Sequence, residues 1–176
     1  MIRRSLLIAF AGLVAGCTSS PSLPPPPAEP PVFDRLIVPG KRVGPISLGM
    51  TRDQVIAALG LPFETFLYGG GTTGLAYQRI NNADRSFSTG LEVIVGNQSS
   101  RVEYITVGIG TQYATTQGLA VGMQESKVRE LMGAPDKIAL RTKHTYDTYC
   151  YPGLRVYFYQ GAVISLSVRS PDCSNL

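Results

Sequence analysis

The chain has 176 residues, which supports one domain or two small halves and excludes several large domains. Sixteen Lys and Arg against twelve Asp and Glu give a formal net charge of +4, with only 16% charged residues. Loss of Arg3 and Arg4 with an N-terminal signal would leave fourteen basic residues against twelve acidic ones. No Lys/Arg cluster occurs, which argues against a nucleic-acid binder. One His and three Cys exclude most metal sites and His-dependent catalysis.

The N-terminus has the pattern of a secretory signal. Met1–Arg4 is a short basic region, and an apolar stretch of about eleven residues follows at Ser5–Ala15. A helix of this length cannot span a ~30 Å hydrocarbon core, which needs about 20 residues. Small residues then precede Cys17, as in the lipobox of bacterial lipoproteins, which this segment resembles. The resemblance implies a signal peptide at 1–16 and palmitate-type acylation of Cys17; a secretory signal with a chance cysteine is the alternative.

Acylation would make Cys17 a membrane anchor, since several acyl chains bind a bilayer far more firmly than one. Thr18 and Ser19 follow, whereas lipoproteins of the inner membrane often carry Asp there. The resemblance therefore points to the periplasmic face of the outer membrane. Residues 17–32 are rich in proline and predict a semi-rigid polyproline II tether at about 3.1 Å per residue. A ligand for a proline-binding groove is the alternative interpretation of this segment.

Two similar stretches follow at an offset of 73 residues, GMTRDQVIAALGLP at 49–62 and GMQESKVRELMGAP at 122–135. Each predicts a short helix, because apolar residues recur at i and i+4 and a Gly-x-Pro sequence ends the stretch. Thr51 is a favourable N-cap, and Gln124 is a weaker one. A helix of this length is not stable alone, so we expect each to pack against a sheet.

Alternating apolar residues predict strands after each helix. The clearest patterns are Leu91–Val95 with Val102–Val107, and Leu154–Phe158 with Val163–Val168, and a further strand precedes each pair. Tyr159–Gly161 predicts a three-residue hairpin loop. The sequence therefore predicts an α+β fold of two tandem helix–β–β–β units, residues 33–110 and 111–176. In this fold short helices pack on one face of an antiparallel sheet.

The pattern G-M-T-x-x-x-V-x-x-x-L-G-x-P at 49–62 resembles the BamE/SmpA/OmlA family of small outer-membrane lipoproteins. The second copy keeps Gly122, Met123, Val128, Gly133 and Pro135 but lacks the Thr after Met. Known members of that family carry one copy. Two copies in tandem resemble the fold of the β-lactamase inhibitory protein, in which a concave sheet face binds a protein. The resemblance implies a binding role and assigns no catalytic residue.

Cys150 and Cys173 are the thiols that remain after acylation of Cys17. An even pair outside the cytoplasm usually forms a disulfide, which we predict here. The alternative is a reactive thiol, for which only His144 could serve as base. The glycine-rich run 68–74 precedes a strand, so it predicts a hairpin loop and not a phosphate cradle. No catalytic motif occurs, and we predict no catalytic residue, cofactor or metal ion.

Tyrosines of the predicted strands suggest a binding surface. If Leu154, Val156 and Phe158 face the helices, the alternate residues face the other side of the sheet. Tyr is enriched in protein interfaces because it offers a large contact area and loses little entropy. Stacking across strands is the alternative role. The predicted protein-binding residues are Tyr104, Tyr149, Tyr151, Arg155, Tyr157 and Tyr159.

These features predict a non-catalytic lipoprotein that is anchored in the outer membrane and binds an envelope protein. An accessory role in outer-membrane assembly is one form of this function. An inhibitor of a periplasmic or extracellular enzyme is an alternative, and so is a structural lipoprotein that binds peptidoglycan or lipid. A hydrolase that depends on His144 is the least favoured hypothesis.

Overall fold

Short strands are the main regular structure of the folded chain. A computed structural model of the protein describes residues 34–77, 90–140 and 146–174. The predicted signal peptide, Cys17, the tether and His144 lie outside the described residues. In chain order the elements are β1 (Leu36–Val38), β2 (Arg42–Val43), β3 (Ile46–Ser47), α1 (Arg52–Leu59), β4 (Glu64–Tyr68), β5 (Thr72–Ala76), β6 (Leu91–Gly96), β7 (Val102–Gly108), β8 (Ala114–Thr115), α2 (Glu125–Met132), β9 (Lys137–Ala139), β10 (Asp147–Tyr151), β11 (Leu154–Tyr159) and β12 (Ala162–Arg169).

An antiparallel sheet of eight strands dominates the fold, in the order β4-β5-β6-β7-β12-β11-β10-β9. Its centre is the pairing of β7 with β12, in which Ile105 lies opposite Val168. A smaller sheet of four strands has the order β3-β2-β1-β8, and β1 and β8 are parallel. All described residues belong to one compact unit.

The predicted α+β fold of two helix–β–β–β units is wrong. The described chain is mostly β, with two helices of eight residues. Each helix is followed by four strands of the large sheet rather than three, because β4 and β9 were not predicted. These two strands form the edges of the large sheet and are mostly exposed, so they lack the apolar alternation that reveals a strand. Strands of the small sheet have only two or three residues, too few to produce a period.

One face of the large sheet, the inner face, joins the helices in the hydrophobic core. Val55 of α1 and Val128 of α2 are fully buried in the same cluster as Val93, Ile105 and other sheet residues. Leu154, Val156 and Phe158 also belong to this cluster, as their alternation predicted. Burial of these side chains stabilises the fold by roughly 1.5–3 kcal/mol each.

The β11–β12 hairpin differs from the predicted three-residue loop. Tyr159 pairs with Ala162, so Gln160 and Gly161 alone form the turn. Both have positive φ values, 50° and 77°, which a two-residue hairpin turn with the twist of the strands requires. A register shift at Tyr157 moves the partners further from those predicted.

The N-caps of α1 and α2 offer a matched pair for a stability test. Thr51 Oγ1 accepts a hydrogen bond from Gln54 N at 3.3 Å, and Gln54 Oε1 accepts from Thr51 N at 2.8 Å. We expect Thr51→Ala to lower the free energy of unfolding by about 1 kcal/mol, because a backbone N–H loses its acceptor. Gln124 makes no capping hydrogen bond with its side chain, so Gln124→Ala should change stability by less than about 0.5 kcal/mol. Urea denaturation measures the stability of both variants. Equal losses of stability would contradict the assignment of Thr51 as the capping residue.

Candidate functional site

The outer face is the side of the large sheet opposite the inner face. Cross-strand pairing places two rows of side chains side by side on it. One row contains Glu92, Thr106, Ser167, Arg155 and Cys150, and the next contains Phe66, Gly74, Ile94, Tyr104 and Arg169. The outer face therefore brings together groups from positions more than 100 residues apart in the chain.

Small polar residues form the floor of the outer face. Thr106 and Ser167 are buried at 8% and 1% exposure, and Thr106 Oγ1 donates a hydrogen bond to Ser167 Oγ at 3.2 Å. Larger side chains, which are only half-buried, surround this floor; they are Tyr104, Arg155, Tyr157 and Arg169. The buried hydroxyls of the floor are hydrogen-bonded to each other, and the larger side chains around them are aromatic or positively charged.

Arg169 stacks on Tyr104 in the middle of this surface. The guanidinium carbon lies 4.3 Å from the ring centroid, a cation–π contact. Burial lowers the pKa of Arg169, and the neighbouring Arg155 guanidinium lowers it further, although Arg169 stays charged near neutral pH. Burial also raises the pKa of Tyr104, so its hydroxyl keeps its proton. The pair offers a fixed positive charge beside a neutral aromatic ring.

A cavity of about 340 Å³ opens beside this pair. Its lining residues are Glu103, Tyr104, Arg155, Arg169, Ser170 and Asp172. A register shift in the β6–β7 pairing inserts Glu103 next to Tyr104. Ser170 and Asp172 belong to the segment that follows β12, so this segment forms one wall of the cavity.

The predicted disulfide between Cys150 and Cys173 is confirmed, with Cα atoms 5.9 Å apart. Cys150 lies in β10 on the outer face, and Cys173 follows the wall residues Ser170 and Asp172. The disulfide therefore fastens the C-terminal segment to the sheet beside the cavity. Both thiols are used in this bond, which overturns the reactive-thiol alternative.

A second group of aromatic residues, which was not predicted from the sequence, lies on the outer face towards β4. Tyr68 donates a hydrogen bond to Glu92, and its ring meets Phe66 edge to face at 5.0 Å between centroids. Burial and the Glu92 carboxylate raise the pKa of Tyr68. The Phe66 ring covers Gly74, where an added Cβ would lie 2.5 Å from it. Apolar alternation did not reveal this group, because Phe66, Leu67 and Tyr68 are consecutive, so β4 was not recognised as a strand.

Two of the predicted interface residues, Tyr149 and Tyr151, lie on the inner face instead. Tyr151 pairs with Leu154 across the two-residue turn, and paired residues point to the same side of a sheet. The prediction continued the strand alternation through Pro152 and Gly153 and therefore put Tyr149 and Tyr151 on the opposite face. Tyr149 packs against Phe158 at 4.7 Å, and its hydroxyl contacts Glu125 and Arg129 of α2.

The other predicted interface residues share the outer face. Tyr104 and Arg155 line the cavity, and the Tyr157 ring meets the Tyr146 ring edge to face at 5.2 Å. Tyr159 lies at the hairpin end with 36% of its surface exposed. Arg169 was not among the predicted residues, although its alternation with Ser165 and Ser167 indicated the same face. Their role in binding remains a prediction.

The described fold defines a mostly β protein in which one antiparallel sheet presents an aromatic and arginine-bearing face. Neither of its two helices has the length and apolar character needed to cross a membrane. Within residues 34–77, 90–140 and 146–174, no group of three or more His, Cys, Asp or Glu is arranged to hold a metal ion. The disulfide is typical of exported proteins.

No protein-family model matches the chain, and no curated protein matches it. Solved structures that the chain matches include an extracellular protein containing an SCP domain from Bacillus anthracis, with 11% identity and a TM-score of 0.48. That match covers 88% of this chain and 50% of the other. A cysteine-rich secretory protein from Staphylococcus aureus has 14% identity and a TM-score of 0.48, with 78% and 51% covered. The chain spans about half the length of both.

A DUF4309 family protein from Bacillus subtilis matches at 13% identity and a TM-score of 0.43, with 68% of this chain and 78% of the other covered. The predicted resemblance to the BamE/SmpA/OmlA family and to the tandem inhibitor fold is wrong. No family model supports it, and the described chain is mostly β and is not built of two helix–β–β–β units. The Gly-Met and Gly-x-Pro positions behind that resemblance are turn and cap residues, which many unrelated short helices share.

Proposed function

We propose that this protein is an exported, lipid-anchored and non-catalytic module that binds another envelope protein through its outer face. The observation that carries the proposal is the group of Tyr104, Arg155, Tyr157 and Arg169 around a buried polar floor. Tyr and Arg are among the residues that dominate binding energy at protein interfaces. The tyrosines keep their hydroxyl protons, because burial raises the pKa of Tyr104 and of Tyr157. They can therefore donate hydrogen bonds to a partner.

Preorganisation supports a binding role for this surface. The four side chains stand on three adjacent strands, β7, β12 and β11, at the centre of the large sheet. The stack of Arg169 on Tyr104 and the contact of Tyr157 with Tyr146 hold the long side chains in place. Side chains ordered before binding lose less conformational entropy when a partner arrives.

The anchor completes the proposal and comes from the sequence. The lipobox-like segment before Cys17 would attach the chain to a membrane, and the proline-rich tether would hold the folded part away from the bilayer. We place the module at the periplasmic face of an outer membrane on the basis of Thr18 and Ser19. The disulfide supports the coarser statement that the protein is exported.

Site-specific photo-cross-linking in cells of the source bacterium tests the proposal. A photoreactive amino acid replaces Tyr159, which lies on the outer face, and in a control it replaces Leu67, which is 80% exposed on edge strand β4. We expect one stoichiometric protein adduct from the first position and none from the second. Adducts to lipid or glycan alone, or the same adducts from both positions, would contradict a protein-binding outer face.

Tyr157→Ala is expected to reduce capture of this partner about 30-fold, in line with loss of a central interface tyrosine. Tyr113→Ala is the matched control, because Tyr113 is also half-buried but packs near the small sheet, against Gly44. Thermal unfolding of both variants shows whether a loss of capture comes from a loss of stability. Equal capture by Tyr157→Ala and the wild type would show that the partner does not bind around Tyr157.

A further inference from the structure

Two guanidinium groups line one cavity of the outer face. Arg155 stands opposite Ser167 on the neighbouring strand, and Arg169 lies two residues further along that strand on the same face. Both side chains reach the cavity of about 340 Å³ beside Tyr104. Glu103 and Asp172 line the same cavity, so it combines two positive and two negative side chains.

The positive charge of Arg169 is not neutralised by a salt bridge within the described ranges. Ion pairs there include Arg42 with Asp34, Lys127 with Glu130 and Arg129 with Glu125. Arg169 instead lies over the Tyr104 ring, which leaves the edge of its guanidinium group available to the cavity.

The two carboxylates in the cavity wall are occupied by local hydrogen bonds. Glu103 Oε1 accepts from Ser99 Oγ at 3.2 Å. Asp172 accepts from the backbone nitrogen of Ser174 at 2.7 Å and from its hydroxyl at 2.5 Å. These bonds turn the acids towards their own chain neighbours. Both acids keep their negative charge, so a bound carboxylate would depend on the directed hydrogen bonds of Arg169 and not on a net positive charge of the cavity.

We propose that this cavity binds a carboxylate of an acidic peptide segment, with Arg169 as the main contact and Arg155 as the second. The inference rests on the proposed function and names the chemical group that the outer face recognises in its partner. An arginine guanidinium can form two parallel hydrogen bonds to one carboxylate. The Tyr104 ring fixes the plane of the Arg169 fork, and the Ser170 hydroxyl at the cavity wall can add a hydrogen bond.

The size and position of the cavity favour a peptide carboxylate over a small-molecule ligand. A volume of about 340 Å³ lies at the lower limit for ligand pockets, and the wall is largely polar. The cavity also adjoins the tyrosines of the outer face, which would contact the residues on either side of the bound acid. A partner with a Glu or Asp between apolar residues fits this arrangement.

Fluorescence anisotropy with full-length protein in a non-ionic detergent tests the inference. The probes are a labelled oligoglutamate peptide and an oligoglutamine peptide of equal length. We expect saturable binding of the oligoglutamate only, and a loss of affinity of about tenfold in Arg169→Gln, as for a lost charged hydrogen bond. Lys127→Gln removes one positive charge on α2, away from the outer face, and should stay within about twofold of the wild type.

Arg169→Lys separates geometry from charge. It keeps the positive charge but loses the planar fork, so an intermediate loss of affinity supports the paired hydrogen bonds. Thermal unfolding shows whether each variant is folded. Equal weakening by Lys127→Gln and Arg169→Gln would overturn the inference, because it would indicate general charge attraction. Inorganic phosphate that binds as tightly as oligoglutamate would also overturn it, in favour of a small-anion site.

Cross-linking in cells distinguishes failure of this inference from failure of the proposed function. If the photoreactive protein captures one partner with and without Arg169→Gln, protein binding stands and the carboxylate site is wrong. If the wild type captures no protein, the proposed function fails, whatever the peptide measurement shows.

Discussion

Gly153→Ala is expected to lower the free energy of unfolding by about 3 kcal/mol, one of the two largest effects that we predict. Gly153 has a φ of +77° in the turn between β10 and β11, a conformation that L residues rarely adopt. An added Cβ would lie 2.5 Å from Gly40 Cα and 2.8 Å from the carbonyl carbon of Pro39. These are backbone atoms that cannot rotate away, so the two turns would have to separate.

Separation of these turns would disturb both sheets. The Gly153 carbonyl oxygen accepts hydrogen bonds from Gly40 N at 2.8 Å and from Arg169 N at 3.2 Å. It therefore connects the β1–β2 turn of the small sheet to the strand that carries the cavity arginine. We expect Gly153→Ala to weaken oligoglutamate binding as well as stability.

Gly70→Ala is the control for this effect. Gly70 has a φ of +89°, but no atom lies within 4 Å of an added Cβ. Gly70→Ala should lower the free energy of unfolding only by the cost of placing Ala at a positive φ, about 1 kcal/mol. Urea denaturation followed by circular dichroism compares the two variants. Equal losses of stability in the two variants would show that the close approach of Gly153 to Gly40 adds nothing to the cost of the substitution.

Removal of the disulfide by the double substitution Cys150→Ala and Cys173→Ala is expected to destabilise the protein by about 3 kcal/mol. The bond closes a loop with a sequence separation of 23 residues, and chain entropy in the unfolded state accounts for that magnitude. For a domain of this size the melting temperature should fall by about 10 °C. Calorimetry of the wild type and the double variant measures the change.

Reduction provides the control for the disulfide prediction. A phosphine reductant should lower the melting temperature of the wild type and leave the double variant unchanged, since the variant has no disulfide to reduce. A wild type that melts at the same temperature in both conditions would contradict a stabilising role. The bond also fastens Ser170 and Asp172 in the cavity wall, so its loss should weaken oligoglutamate binding.

The sequence by itself determined the elements whose signals are local. Helix α1 begins directly after Thr51 and helix α2 directly after Gln124, the two predicted N-cap positions. Capping and i, i+4 spacing act within one or two turns, so the local sequence contains these signals. Strands β6, β7, β11 and β12 follow the predicted alternation, because alternate apolar residues of each belong to the hydrophobic core. The disulfide was predicted because only two thiols remained outside the lipobox-like segment.

Only the tertiary structure decided which elements meet and which face each side chain occupies. Edge strands β4 and β9 are exposed and show no apolar period, so their place in the sheet comes from pairing alone. Tyr149 and Tyr151 point inward because a two-residue turn pairs Tyr151 with Leu154. Arg169 reaches Tyr104 because β12 pairs with β7, which is distant in the chain. Such contacts depend on cross-strand register, which arises from the packing of the whole sheet rather than from neighbouring residues.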